Sequence, residues 1–283
     1  MPNRKLLNIV GARPQIIKAS AVSRAIRVHF SDRINEVLLH TGQHYDKELS
    51  EVFFDELEIR KPDYNLEVGS ARHGKQTSLM ITGIEDVLLR ENPDCVVLYG
   101  DTNSTLAGAV AASKLHFPVI HIEAGLRSFN KSMPEELNRI MSDHASTLLF
   151  APTNAAFKNL MNEGFRPENS PPYTIDNPKI YLTGDIMFDN SLFFAELAER
   201  KKSALLAELA LERDKFTLVT IHRDINTDNT RRLESILTTL KNLSEEYLMP
   251  FLMPLHPRTI NSLKSAPGKL GDEIHSSGYL RII

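Results

Sequence analysis

The sequence predicts an α/β protein made of two domains, each an open parallel sheet with helices. Three observations carry this. Short apolar, β-prone runs alternate with helical stretches along the chain. The central stretch Asp94–Arg139 repeats strand, turn and helix, with an acidic residue close after each of its strands. The 283 residues are enough for two domains of about 100–200 residues each.

Leu6–Val10 is the first strand, Gly11–Pro14 its turn and Gln15–Phe30 a helix. A strand, a glycine turn and a helix N-terminus form a common phosphate-binding geometry. A single glycine stands where the dinucleotide fingerprint needs three, which argues against NAD. Glu36–His40 is a second strand, followed by the polar turn Thr41–Asp46 and a helix to about Leu57. Lys61–Gly74 reads as a loop with an extended middle, and Lys75–Glu91 as an amphipathic helix that stops at Asn92-Pro93.

Cys95–Tyr99 is an apolar run of the kind a parallel sheet buries on both faces. Gly100 breaks it, Asp101 follows, and Thr102 or Asn103 caps an Ala-rich helix to about Leu115. Val119–Ile122 is the next strand, with Glu123 after it. Ser132 is expected to cap a helix with Pro134 at its first position and Glu135 and Glu136 in its first turn. Thr147–Phe150 and a helix capped by Thr153 and closed by Gly164 complete about six βα units, so residues 1–178 read as one Rossmann-like domain. Ile180–Thr183 starts a second, residues 179–283, with a long helix from about Met187 to Leu211. Its further elements are the strand Phe216–Ile221, a charged helix over Asp228–Tyr247, and the strands Pro250–Leu255 and Tyr279–Ile283. This is about half a sheet, so the second domain reads as incomplete and the chain as a fragment.

Composition narrows the function. A net charge of −3 gives no electrostatic case for nucleic acid or an anionic membrane, so any anionic ligand must be held by a few local cations. The single cysteine, Cys95, lies inside a strand, which excludes a disulfide framework and a thiolate metal site. No His or Asp/Glu pattern at metal-ligand spacing occurs. The N-terminal apolar run is too short for a signal peptide, and no stretch reaches a membrane span, so a cytoplasmic location is expected.

Ligands of open α/β sheets bind outside the carboxyl ends of the strands. Asp101, Glu123 and the acids opening the Pro134 helix are therefore expected to face one cleft. Arg13 and Lys18 in the first turn and helix, and Gln43 and His44 in the second turn, lie at the same edge. His222 ends the buried strand Phe216–Ile221. Each has a plain structural alternative: acids belong at helix N-termini, Asp caps helices, and most histidines and cations are solvated.

Several stretches together resemble the non-hydrolysing UDP-N-acetylglucosamine 2-epimerase family. They are GARPQIIK at 11–18, TGQHYD at 41–46, GDTNSTLAG at 100–108, HIEAGLRS at 121–128, MPEELNR at 133–139, LTGD at 182–185, TIHRDIN at 220–226 and HPRT at 256–259. Ile225 stands where the family pattern has Glu. The resemblance implies a GT-B-like fold, a homodimer, and work without organic cofactor or catalytic metal. It implies an acid/base set of Asp101, Glu123 and Glu135, with His222 assisting at the diphosphate. Arg13, Lys18 and Arg139 match family positions lining the same cleft, and Gln43, His44, Arg223, His256 and Arg258 are further expected to bind the UDP-sugar. The implied reaction is reversible C2 epimerisation of UDP-N-acetylglucosamine to UDP-N-acetylmannosamine, by elimination and re-addition of UDP. TGQHYD with RSFNKSMPEE also looks like the branch acting on UDP-2,3-diacetamido-glucuronate. A GT-B glycosyltransferase and an inactive, truncated UDP-sugar binder are the remaining alternatives.

Overall fold

The computed structural model describes residues 3–43, 60–221, 224–227, 229–255 and 278–282. Seven strands form the first sheet: β1 (Arg4–Val10), β2 (Ile34–His40), β3 (Tyr64–Asn65), β4 (Cys95–Tyr99), β5 (Val119–Ile122), β6 (Leu148–Ala151) and β7 (Lys179–Leu182). All neighbours pair in parallel, in the order β3-β2-β1-β4-β5-β6-β7. The order reverses direction between β1 and β4, the point where an open α/β sheet leaves a crevice at its carboxyl edge.

Helices α1 (Arg13–Ala25), α2 (His73–Glu91), α3 (Asn103–Lys114), α4 (Pro134–His144) and α5 (Asn154–Asn162) connect the strands. The strand run of β4 is buried on both faces, as its unbroken apolar sequence predicts. Val96 and Leu98 pack with Met80, Ile84, Ala107 and Ala111 of α2 and α3. Val97 and Tyr99 point the other way, against Ile16 and Ala19 of α1. Ala and Gly in α3 allow close approach: a Cβ on Gly108 would stand 2.5 Å from Leu98. The first helix ends earlier than its pattern suggests, at Ala25, and continues as a π-turn over Ile26–Phe30. The helix at Pro134 takes Met133 as its N-cap, not Ser132, whose hydroxyl is engaged with Asn130.

The domain boundary differs from the expected 178/179. Lys179–Leu182 pairs with β6 as the last strand of the first sheet, so it closes that domain and does not open the next. The following helix α6 (Ile186–Glu208) begins on the same unit, where Asn190 donates to the Ile17 carbonyl at 2.6 Å and meets Ser20 and Arg24. The chain divides by contacts into Met1–Ala195 and Glu196–Ile283.

The second unit holds a parallel three-stranded sheet of β8 (Thr217–Leu218), β9 (Phe251–Met253) and β10 (Leu280–Ile282), in the order β10-β9-β8. A short helix α7 (Asp224–Thr227) precedes α8 (Thr230–Glu246), which buries Leu233 and Leu237 against Phe251, Met253 and Leu280. Among the described residues no helix is long and apolar enough to cross a membrane.

Candidate active site

The turn after β1 is built around Gln15. Its Oε1 accepts the Gly11 and Ala12 amides at 2.9 and 3.2 Å, and its Nε2 donates to the Tyr99 carbonyl and Thr105 Oγ1, both at 2.9 Å. One buried amide thus ties the carboxyl ends of β1 and β4 together. Gly11 fits under this junction because it has no side chain. A Cβ there would stand 2.1 Å from both Ser104 Oγ and Thr41 Oγ1, which hydrogen-bond to each other at 2.8 Å.

Two carboxylate–cation pairs stand at the sheet edge. Asp101 follows β4 by two residues and is ion-paired to Arg139 of α4. Glu123 follows β5 directly and is ion-paired to Lys18 of α1. The pairs lie close together: the space above Gly100, the residue before Asp101, holds Lys18 Nζ at 3.3 Å and Glu123 Oε1 at 3.9 Å from where a Cβ would be. Asp101 is held from a second side, since Asn138 donates to its carbonyl at 2.9 Å and also reaches Asn103 Oδ1. It is not the helix cap, a role that Thr102 takes. Glu123 adopts φ +74°, a left-handed conformation that costs a non-glycine residue of order 1 kcal/mol or more and persists where its surroundings enforce it. Its amide and that of Ala124 both donate to the Phe150 carbonyl at 3.1 Å.

The third expected acid divides into two roles. Glu135 is exposed at the start of α4. Its neighbour Glu136 is 1% exposed and accepts from the Ser128 amide, the Ser128 hydroxyl, the Phe129 amide and Arg139 Nη1, at 2.8–3.1 Å. Burial alone would raise its carboxyl, but these donors outweigh burial and hold it below the usual carboxylate value. Glu136 therefore joins the Ser128 loop to Arg139, and through it to Asp101.

Gln43 is buried, and its Oε1 accepts from the Ser104 amide and hydroxyl at 3.1 and 2.7 Å, so it caps α3 from the neighbouring turn. Arg13 is exposed at the first position of α1. His44, His222, Arg223, His256 and Arg258 lie outside the described residues. Cys95 is half-buried, and burial pushes its thiol up to about 11.

A buried charged chain behind the two acids was not foreseen. His121 of β5 is fully buried between Asp143 Oδ1 and the Gly100 carbonyl, each 2.7 Å from a ring nitrogen. Asp143 Oδ2 accepts the Gly125 amide at 3.0 Å and meets Arg127 at 2.8 Å. Arg127 in turn makes a two-pronged contact with Glu163, 2.7 Å on each prong. The sequence does not announce it, because the apolar residues of α4 mark the opposite, exposed face as the buried one.

The fold is a Rossmann-type sheet that presents two carboxylate–cation pairs at its carboxyl edge, the edge at which open α/β sheets bind their ligands. Comparison with known proteins carries this further. Residues 27–281 match the family model described as UDP-N-acetylglucosamine 2-epimerase. The chain is 42% identical over 281 residues to the UDP-N-acetylglucosamine 2-epimerase of Methanocaldococcus jannaschii, covering 99% of this chain and 72% of that one. It is 48% identical over 280 residues to the UDP-2,3-diacetamido-2,3-dideoxy-D-glucuronate 2-epimerase of Pseudomonas aeruginosa, covering 99% and 74%. The solved structure of the M. jannaschii enzyme in complex with UDP-GlcNAc and UDP superposes with a TM-score of 0.77 at 41% identity, over 99% of this chain and 73% of that one. This chain belongs to the UDP-N-acetylglucosamine 2-epimerase family, and its two-sheet α/β fold is the GT-B-like fold of those isomerases.

Proposed function

We propose that this protein interconverts UDP-N-acetylglucosamine and UDP-N-acetylmannosamine without net hydrolysis. The observation that carries the reading is the placing of Asp101 and Glu123 at the ends of adjacent strands, each with its own cation. The C2–H bond of a 2-acetamido sugar is not acidic, so a base alone cannot invert that carbon. Departure of UDP gives C1 oxocarbenium character and acidifies the neighbouring proton. One carboxylate takes the C2 proton, the C2–H electrons form the C1=C2 bond, and the C1–O bond breaks with its pair leaving on UDP. The products are a 2-acetamidoglucal and retained UDP. Protonation of C2 from the other face, with return of the UDP oxygen to C1, gives the epimer. Two carboxylates supply the two faces.

Lys18, Arg139 and Arg13 offer the positive charge that a departing diphosphate requires. In this reading Glu135 completes the acid set from the start of α4, and Gln43 shapes the neighbouring turn. His44, His222, Arg223, His256 and Arg258 are assigned to the nucleotide and diphosphate. The first sheet carries the acid–base residues and the second binds the nucleotide. A cytoplasmic homodimer feeding cell-surface polysaccharide synthesis is part of the same proposal, and light scattering of the purified protein tests the dimer.

A second reading keeps the chemistry and changes the sugar. The P. aeruginosa relative, 48% identical, is named for UDP-2,3-diacetamido-2,3-dideoxy-D-glucuronate. Proton NMR in D₂O with each UDP-sugar decides between them. Loss of the C2–H signal and growth of the manno epimer from UDP-GlcNAc supports the first reading. Turnover of the diacetamido-uronate alone supports the second. Stoichiometric release of free UDP with either sugar would refute both.

A further inference from the structure

We propose that His121 is a positioning residue for the epimerisation, a doubly donating imidazole that fixes the backbone on which both Asp101 and Glu123 stand. The inference rests on the acid–base reading above. It is carried by the geometry around the ring. One ring nitrogen faces a carbonyl oxygen and the other a carboxylate, both at 2.7 Å and both acceptors. A ring between two acceptors satisfies both only when each nitrogen carries a proton. The carbonyl belongs to Gly100, whose next residue is Asp101. Two residues after His121 stands Glu123. The same ring therefore pins the turn that carries one acid and the strand end that carries the other.

Its partner extends the clamp. Asp143 accepts from the Gly125 amide and so closes the turn in which Glu123 takes its left-handed backbone and Gly125 follows at φ +79°. Asp143 also belongs to α4, the helix that supplies Arg139 to Asp101 and Asn138 to the Asp101 carbonyl. The charged groups facing the ring are Asp143 from α4, Glu123 from its own strand end and, through Asp143, Arg127 with Glu163 of the segment after α5. The chain alternates in sign and is balanced, the condition under which buried charges are tolerated. The ring itself is fully buried, so His121 acts through Asp101 and Glu123 and not on substrate.

The test compares two variants of the enzyme. His121→Phe keeps the ring shape and removes both hydrogen bonds. Asp143→Asn keeps them, because a neutral imidazole can donate to Gly100 and accept from the new amide. His121→Phe is expected to lower kcat about 100-fold with KM within about threefold, the cost of a small misplacement of reacting groups. Asp143→Asn is expected to stay within about tenfold of wild type by the same argument. A folded His121→Phe with kcat within threefold of wild type overturns the proposal. Should His121→Phe fail to fold, ¹H–¹⁵N correlation of the wild-type imidazole decides. Protons on both ring nitrogens support the clamp, and a single neutral tautomer overturns it. Wild-type enzyme that leaves both UDP-sugars unchanged defeats the epimerase reading instead, and the imidazole spectrum is independent of that result.

Discussion

Lys18 of α1 and Glu123 at the end of β5 form an ion pair above Gly100, and next to it Arg139 does the same for Asp101. Each acid is matched by a cation from a different helix, so the two can be separated by mutation. Lys18→Met leaves Glu123 without its partner and removes one charge available to a diphosphate. The expected result is a fall of about 100-fold in kcat/KM for epimerisation. A rate within threefold of wild type would mean that the pair serves the fold alone.

Asp101→Asn and Glu123→Gln keep side-chain shape and remove the capacity to take a proton. Each is expected to lower epimerisation by about 10²–10⁴-fold while leaving the fold intact. Solvent deuterium entering C2 reads the two halves of the reaction separately. A variant that still exchanges the C2 proton but yields no epimer identifies the acid for the second face. Two variants with full activity would remove these residues from the mechanism.

Glu135 and Glu136 are adjacent in sequence and opposite in setting. Glu136→Ala leaves the Ser128 and Phe129 amides and Arg139 short of an acceptor, at a cost of about 2–4 kcal/mol. Glu135→Gln touches an exposed side chain and is expected to change stability by less than about 0.5 kcal/mol. Thermal unfolding of both variants checks this. The opposite ranking, with Glu135 the costlier, would contradict the burial that separates them.

Stability should also depend on pH at both ends. Glu136 and Asp143 are buried, and their hydrogen-bond donors and neighbouring cations overcome that burial to hold both below their ordinary values of 4.5 and 3.8. Their contribution is therefore present above those values and lost as pH falls through the depressed folded ones. His121 is the reverse: despite burial, Asp143 raises it above 6.5. Its contribution is complete below 6.5 and is lost as pH rises through the higher folded value. Urea midpoints measured from about pH 3 to 9 should be highest between roughly 5 and 6.5 and fall on both sides. Stability that rises steadily above 6.5 would show that His121 is neutral in the fold.

The sheet was legible in the sequence because apolar, β-branched runs bounded by glycine and polar turns leave few other structures open. Cys95–Tyr99 and Val119–Ile122 have the expected limits, and β7 was found but assigned to the wrong domain. Its pairing with β6 is a tertiary fact that no local pattern encodes. The positions of Asp101 and Glu123 just past β4 and β5 were legible because glycine and polar turns mark the strand ends. The roles of Glu136 and Asp143 were not, because α4 inverts the usual pattern. Glu136, Ser142 and Asp143 are at most 1% exposed, while Met133, Leu137 and Met141, spaced at one helical turn, are 40–52% exposed. Apolar periodicity points to the wrong face of such a helix. The buried face is polar because its partners are backbone amides and charges, and these appear only once the chain has folded.

Gly11 closes the junction of three turns with no room for one further carbon. Every single-nucleotide missense change in a glycine codon adds at least a Cβ. At this position that carbon falls 2.1 Å from two hydroxyls that already hold each other. Any one-step replacement at residue 11 therefore forces the Ser104 and Thr41 hydroxyls to move, and its cost falls on a hydrogen bond that joins two other turns.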